Sequence, residues 1–410
     1  MKLNKSNILN LQLRSFYWII VSTYVLAVFV QSISIVYVSS ILLILVEVSS
    51  LSYRKFKLHV DIYLLYFILL LASGLMYFFN DISLELFFTG IAYSLLPMVL
   101  FFAPKEEPDR ILDYTFNALI VSMVAGALFY FWAPSFYGEY LAYHNYLQFA
   151  HQVKKSFQGL YGITSLGTYS ACCTIFFFGK WLRKFNKYDI IKAIISLLVL
   201  FATMRRSAVA ACLIMFLIEN LVFLRRFKEN RRKHLIVIII FIITMLGALL
   251  IYSNTIFSTL SRVANVRVAV SERSGNWVLN LAEVKNHLFG GTGLGSAGHL
   301  ASAAGYVGVH DNSYLLIVRE NGVLGIILFA GMIIKSLFAF TKISNKSFYN
   351  YISIFVIFIF MIQAIGSNVW EFPLLGSLFW ICLSTMNCTY EAHNSIEFQS
   401  KRDRDCVCEK

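Results

Sequence analysis

His310-Asp311-Asn312-Ser313-Tyr314 runs directly into Leu315-Leu316-Ile317-Val318-Arg319-Glu320-Asn321-Gly322-Val323-Leu324-Gly325, and an apolar run then continues to about residue 340. A run of this length can cross a hydrocarbon core of roughly 30 Å as a helix. The stretch therefore marks the point where a long polar segment gives way to a membrane span. His310, at that boundary, is the segment's best candidate for a group that exchanges a proton near neutral pH.

The same apolar character recurs along the chain. The hydrophobic fraction is 58% and charged residues make up 14%, with a mean hydropathy of +0.68. Soluble packing could not hide this much apolar surface. Twelve apolar runs stand out, at about 16–32, 34–52, 62–79, 84–103, 112–132, 160–178, 189–203, 207–223, 235–252, 314–340, 352–366 and 374–388. The expectation is an all-α polytopic membrane protein of about 12 transmembrane helices with a large, partly helical outside loop.

The basic residues orient the spans. With both termini inside, 24 of the 35 Lys+Arg fall in inside segments and nine fall outside. That bias is what the positive-inside rule requires, and the inverted topology contradicts it. The net charge of +13 is thus mostly a topology signal. The clusters at 180–187 and 225–233 border membrane spans, so nucleic-acid binding is a poor reading of them.

Lys2, Lys5 and Arg14 precede the first run, but a second follows at once without a small-residue cleavage site, which reads as an uncleaved first helix. The seven cysteines (172, 173, 212, 382, 388, 406 and 408) lie in spans or the inside tail, so a disulfide framework is not expected. Cys406-Val-Cys408 has the wrong spacing for a zinc knuckle. No repeat of 20–50 residues is visible, and residues 1–410 read as one transmembrane domain.

Two outside loops are longer than a connection needs, at about 133–160 and 253–313, and such loops in compact proteins are usually functional or disordered. The first holds Tyr137, Tyr140, Tyr143, His144, Tyr146, His151, Lys154 and Lys155. In the second, Trp277, Leu281, Val284 and Leu288 recur at helical spacing, which predicts a short amphipathic helix over 274–288 lying on the membrane surface. Gly290-Gly291-Thr292-Gly293-Leu294-Gly295 follows. It has no preceding strand, which argues against a nucleotide loop, and leaves a plain turn or a part in shaping a substrate cleft.

Arg205-Arg206 sits between two runs with almost no loop, which holds both near the outer interface. They either snorkel to lipid phosphates or dock an anionic lipid-linked substrate, since the guanidinium fork matches phosphate and stays charged when partly desolvated. Arg273, just before the surface helix, has the same two readings, whereas Arg262 and Arg267 read as a solvated loop face. The loop carries His287, His299 and His310, and a lone histidine is often structural. His310 differs in standing beside Asp311 and Asn312, which could orient an imidazole as a general base.

His310-Asp311-Asn312-Ser313-Tyr314-Leu315, Glu320 and Gly322-Val323-Leu324-Gly325 together resemble the signature of the bacterial O-antigen polymerase and O-antigen ligase superfamily. Thr203-Met204-Arg205-Arg206-Ser207-Ala208 resembles the family's arginine at the outer start of a span. Arg273-Ser274-Gly275-Asn276-Trp277 with the Gly290–Gly295 turn resembles its Arg…Trp…Gly-x-Gly segment. The likeness covers about 200–340 by motif.

The resemblance implies a GT-C-like glycosyltransferase architecture in the inner membrane, with a periplasmic active site. It also implies a donor glycan on undecaprenyl pyrophosphate and hexosyltransferase-type transfer with neither cofactor nor metal. His310, Arg273 and Arg206 would be catalytic, and Arg205, Asn312, Asp311, Glu320, Lys155 and Trp277 would bind substrate. Membrane lipids and a chain-length regulator protein are the other partners implied. The His-Asp-Asn-x-Tyr form is closer to polymerase members, with ligase as the alternative.

Two positions depart from the pattern. Asp311 stands where many members have an amide or small polar residue, and Lys154-Lys155 precedes Gly159 where an arginine is common. A lipid-linked oligosaccharide transporter is the competing class. Transporters place broken helices or charge pairs near the midplane, whereas here mid-span ionisable residues look few, Glu47 being the clearest.

Overall fold

A computed structural model of the chain describes residues 61–76, 83–102, 108–143, 163–226, 266–343, 346–370 and 375–387, apart from 204, 304 and 310, together with a few isolated positions such as 157, 159 and 160. All regular elements among the described residues are helices. In chain order they are α1 (Ile62–Leu75), α2 (Leu84–Phe102), α3 (Pro108–Trp132), α4 (Pro134–Tyr143), α5 (Ile163–Lys184), α6 (Lys187–Ala202), α7 (Arg206–Arg226), α8 (Val266–Asn286), α9 (His299–Ala303), α10 (Ser313–Lys342), α11 (Phe348–Ala364) and α12 (Leu375–Asn387).

Nine of the twelve apolar runs coincide with these helices, namely α1–α3, α5–α7 and α10–α12. The runs at 16–32, 34–52 and 235–252, and Glu47, lie outside the described residues or touch only isolated ones. Among the described residues, three helices are both long and apolar enough to cross a membrane, at Asp109–Trp132, Arg206–Arg225 and Ser313–Lys342.

Burial supports a lipid environment independently of length. Leu65, Ile68 and Leu75 on α1 are exposed at helical spacing, as are Ile191, Ile194, Leu198 and Phe201 on α6. Ile214, Leu217 and Leu221 form the same kind of stripe on α7. An apolar core with apolar stripes outside it is the pattern of a bundle in hydrocarbon. Inside, Phe116 of α3 stacks on Phe176 of α5 at 4.1 Å between ring centroids. Tyr130, Phe131 and Trp132 end α3 exposed, as aromatic residues do at a membrane interface. Among the described residues the chain is all-helical, with the apolar helices of a multi-pass membrane protein.

The two ends of the bundle differ. At one end Lys180 pairs with Asp113 at 2.9 Å, Tyr349 donates to the same carboxylate at 2.8 Å, Lys192 reaches Asn117 at 2.6 Å, and Lys335 pairs with Asp61. The other end carries Arg205, Arg206 and the start of α10. Thr168 of α5 donates to Gln363 of α11 at 3.0 Å, and Ser313 of α10 donates to the Ser367 carbonyl at 2.9 Å just beyond α11. These bonds hold α5, α10 and α11 together at that site end.

α10 is not one continuous helix. Gly322 has φ 68° and ψ −171°, a conformation essentially restricted to glycine, and it interrupts the ladder. The break strands backbone groups at membrane depth, where each needs a partner. Three of them are met from elsewhere. Thr292 N donates to Arg319 O at 2.8 Å, Gly293 N to Glu320 O at 3.0 Å, and Val323 N to Leu288 O at 2.8 Å. Ser73 Oγ of α1 adds a second bond to Glu320 O at 2.8 Å. The Gly290–Gly295 turn thus completes a broken helix, a role that its glycines alone do not disclose. Gly90 of α2 admits the turn, because a Cβ there would lie 2.6 Å from Gly295 N.

Buried charge in the spans is also richer than the apolar runs suggest. Glu219 on α7 is fully buried, and Arg319 and Glu320 on α10 are each 6% exposed.

Candidate functional site

The site is built around the chain on either side of His310, which itself lies outside the described residues. Asn312 caps α10, its side-chain oxygen accepting from Tyr314 N at 3.0 Å and Leu315 N at 3.1 Å. An Asn just before an apolar helix satisfies two of the first-turn amides that the helix cannot. Asp311 beside it is half-buried.

Two amide side chains hold this approach in place. Asn368, between α11 and α12, accepts from Asn312 N at 3.0 Å and donates to Val309 O at 2.5 Å. Its ring neighbour is His299 Nδ1 at 3.5 Å. Asn280 on α8 donates to Gly308 O at 3.3 Å, and Asn276, one turn earlier, donates to the same carbonyl at 3.1 Å. Arg319 Nη1 donates to Asn280 Oδ1 at 2.5 Å, joining the broken part of α10 to α8. Glu283 and Glu320 both interact electrostatically with that guanidinium.

The sequence places Trp277 on one membrane-facing side with Leu281, Val284 and Leu288. The structure divides that side. Trp277 packs on the small core of Ala297, Val309, Leu315 and Leu316, and Val284 is buried, whereas Leu281 and Leu288 are exposed. The physical reason is α10: it takes one face of α8, so the apolar residues serve two surfaces. The helix also starts earlier than its apolar spacing predicts, at Val266.

Glu320 is buried and points back to the turn, with Gly295 N donating to its Oε1 at 3.0 Å. It lines a cavity of about 70 Å³ together with Tyr66, Ser94, Ser313, Asn321, Trp370 and Trp380. This volume has room for a few waters or ligand hydroxyls. Glu320 therefore belongs to the wall beneath the Asn312 cap.

Arg205 is half-buried and donates to Thr164 on α5, while Arg206 is exposed at the start of α7. Thr164 stands one turn before Thr168, whose bond to Gln363 leads to the Ser367–Asn368 segment. This puts the two arginines at the same end of the bundle as Asn312. Arg273 lies on α8, one turn before Asn276, but its side chain is outside the described residues, as is Lys155 altogether. Among the described residues, no three His, Cys, Asp or Glu side chains converge as a metal site.

Asn280, Arg319 and Asn368 are site residues that sequence reasoning misses. The one signal for them is the polar Arg319-Glu320-Asn321 tripeptide inside an apolar run, where polar groups are costly and so need partners.

Residues 191–330 match the family model described as O-antigen ligase. This bears out the resemblance to the O-antigen polymerase and ligase superfamily. The match runs from α6 to the middle of α10, through Arg205, α8 and Asn312. No curated protein matches the chain.

Proposed function

We propose that the chain is an O-antigen (surface polysaccharide) polymerase. It would join oligosaccharide repeat units carried on undecaprenyl pyrophosphate, at the periplasmic face of the inner membrane, with both termini cytoplasmic. The coincidence of the matched segment, 191–330, with most of the residues gathered at the site end of the bundle supports glycan transfer of this superfamily's kind, and the His310-Asp311-Asn312-Ser313-Tyr314 form inclines the reading to polymerase.

In this mechanism the acceptor hydroxyl attacks the anomeric carbon of the donor glycan. The new C–O bond forms as the bond to pyrophosphate breaks, and His310 takes the hydroxyl proton. Arg206 and Arg273 neutralise the charge growing on the departing lipid pyrophosphate. No metal is required, because the leaving group is already activated and the arginines supply the positive charge. Asn312, Asp311, Glu320 and Trp277 would bind substrate together with Arg205 and Lys155, and a chain-length regulator would act from outside this chain.

Ligase activity is the second reading, favoured by the description of the matched family. Transport is weaker. The break in α10 would suit a transporter, but its freed backbone groups are occupied by the Leu288–Gly293 segment.

Purified protein incubated with an undecaprenyl-pyrophosphate-linked repeat unit alone tests the proposal. A ladder of longer glycans supports polymerase. Product only after lipid A–core is added supports ligase. A lipid-linked glycan that changes leaflet in proteoliposomes without changing length would replace both by transport.

A further inference from the structure

α8 has apolar residues on both faces. Trp277, Asn280 and Val284 face α10 and the approach to His310, as described. Val278, Leu279 and Leu281 lie on the other side, and Leu288 and Phe289 follow just past the helix end, with Val278 64% and Phe289 71% exposed. Large apolar side chains exposed on the face turned away from the core call for an apolar cover there.

The surroundings identify what covers the second face. Leu288 O accepts from Val323 N, so the end of this segment lies beside the α10 break. Counting from Ser313, Gly322 is about 13 Å along α10 at 1.5 Å per residue. Large apolar side chains are exposed on the three helices around the α10 break and the turn that follows the segment. They are Leu324 and Ile327 on α10, Leu71 and Leu75 on α1 around Ser73, and Phe88 on α2 beside Gly90. Exposed leucines and phenylalanines flanking one level on three helices mark it as lipid-facing, and the α8 face is continuous with them.

We propose that the segment from Val278 to Phe289 is inserted into the membrane, with its outer face covered by lipid acyl chains of the leaflet at the site end. It is then a re-entrant element and not a loop in water. Irregular backbone at such depth is tolerated because the turn after it is paired with α10. Lys285, an exposed charged residue of this segment, reaches the headgroups along its aliphatic stem.

The test uses bimane attached to single cysteines, Val278→Cys, Leu281→Cys and Phe289→Cys, in full-length protein with Cys388, Cys406 and Cys408 replaced by Ser. The other four cysteines are buried in the bundle. Glu139→Cys on α4, an exposed charged position, is the water-facing control. In bilayers of dibrominated phosphatidylcholine the three labelled positions of the segment are expected to lose about half their emission or more through lipid contact, and to resist aqueous iodide. The Glu139 position should show the reverse. Iodide quenching at these three positions without bromine quenching would overturn the proposal in favour of a solvated loop. Resistance to both quenchers would overturn it in favour of a protein partner or second copy. Three positions are used so that one poorly folding variant does not decide the result, and monodispersity in detergent identifies such a variant.

Discussion

Asn368 and Asn312 are joined by a 3.0 Å hydrogen bond, and the same Asn368 amide reaches Val309 O at 2.5 Å. One buried side chain, 56 residues beyond Asn312, therefore grips the chain on both sides of His310. Asn280 and Asn276 hold Gly308 from the opposite direction.

Asn368→Leu removes both bonds and leaves Asn312 N and Val309 O to find other partners. Transfer is expected to fall by about 10- to 100-fold, since small displacements of reacting groups are costly. Stability should fall by about 1–3 kcal/mol. Steady-state transfer and thermal unfolding in detergent measure the two effects, and unchanged transfer would show that the grip does not position His310.

His310→Ala and Arg273→Ala should abolish transfer while expression and membrane insertion persist. Wild-type turnover in both variants would sink the mechanism proposed above.

Gly322→Ala places a side chain at φ 68°, where its Cβ runs into the Phe289 carbonyl. A loss of about 1–3 kcal/mol is expected from the backbone alone. Gly275→Ala on α8 meets nothing within 4 Å and is expected to be neutral or slightly stabilising, by up to about 1 kcal/mol from helix propensity. Thermal unfolding of the pair separates the demand at the break from a general intolerance of added methyl groups.

Arg319 and Asn280 should be coupled. In a double-mutant cycle of Arg319→Met and Asn280→Leu, the interaction is expected at about 1–3 kcal/mol, as for buried bonded neighbours. Purely additive losses would mean that their 2.5 Å bond contributes nothing of its own.

Lys335→Met should cost less than about 1 kcal/mol in thermal unfolding, because its pair with Asp61 is partly exposed and such pairs contribute little.

The helices are legible in the sequence because apolar runs of span length have few alternatives, and the Asn312 cap is legible from an Asn standing just before one. The arginines and His310 can be picked out by their place on the outer side of the runs. The break at Gly322 is not legible, since a glycine inside an apolar run is compatible with an unbroken helix. Its partners lie in the Leu288–Gly293 segment, whose own sequence suggests only flexibility. Asn368 and Asn280 are invisible for a similar reason: an amide's partners are set by tertiary approach, not by local pattern. Trp277 falls on a different surface from the one expected because periodicity reports that a face is apolar without saying what it touches.

The interruption in α10 also bears on how the chain assembles. During insertion Ser313–Lys342 can enter the bilayer as a single uninterrupted helix, the state with the fewest unmet backbone groups. Opening it at Gly322 is favourable only once Leu288, Thr292 and Gly293 are in place to receive the freed groups. The open form of α10 and the docked Leu288–Gly293 segment are therefore interdependent, each supplying the backbone partners that the other needs.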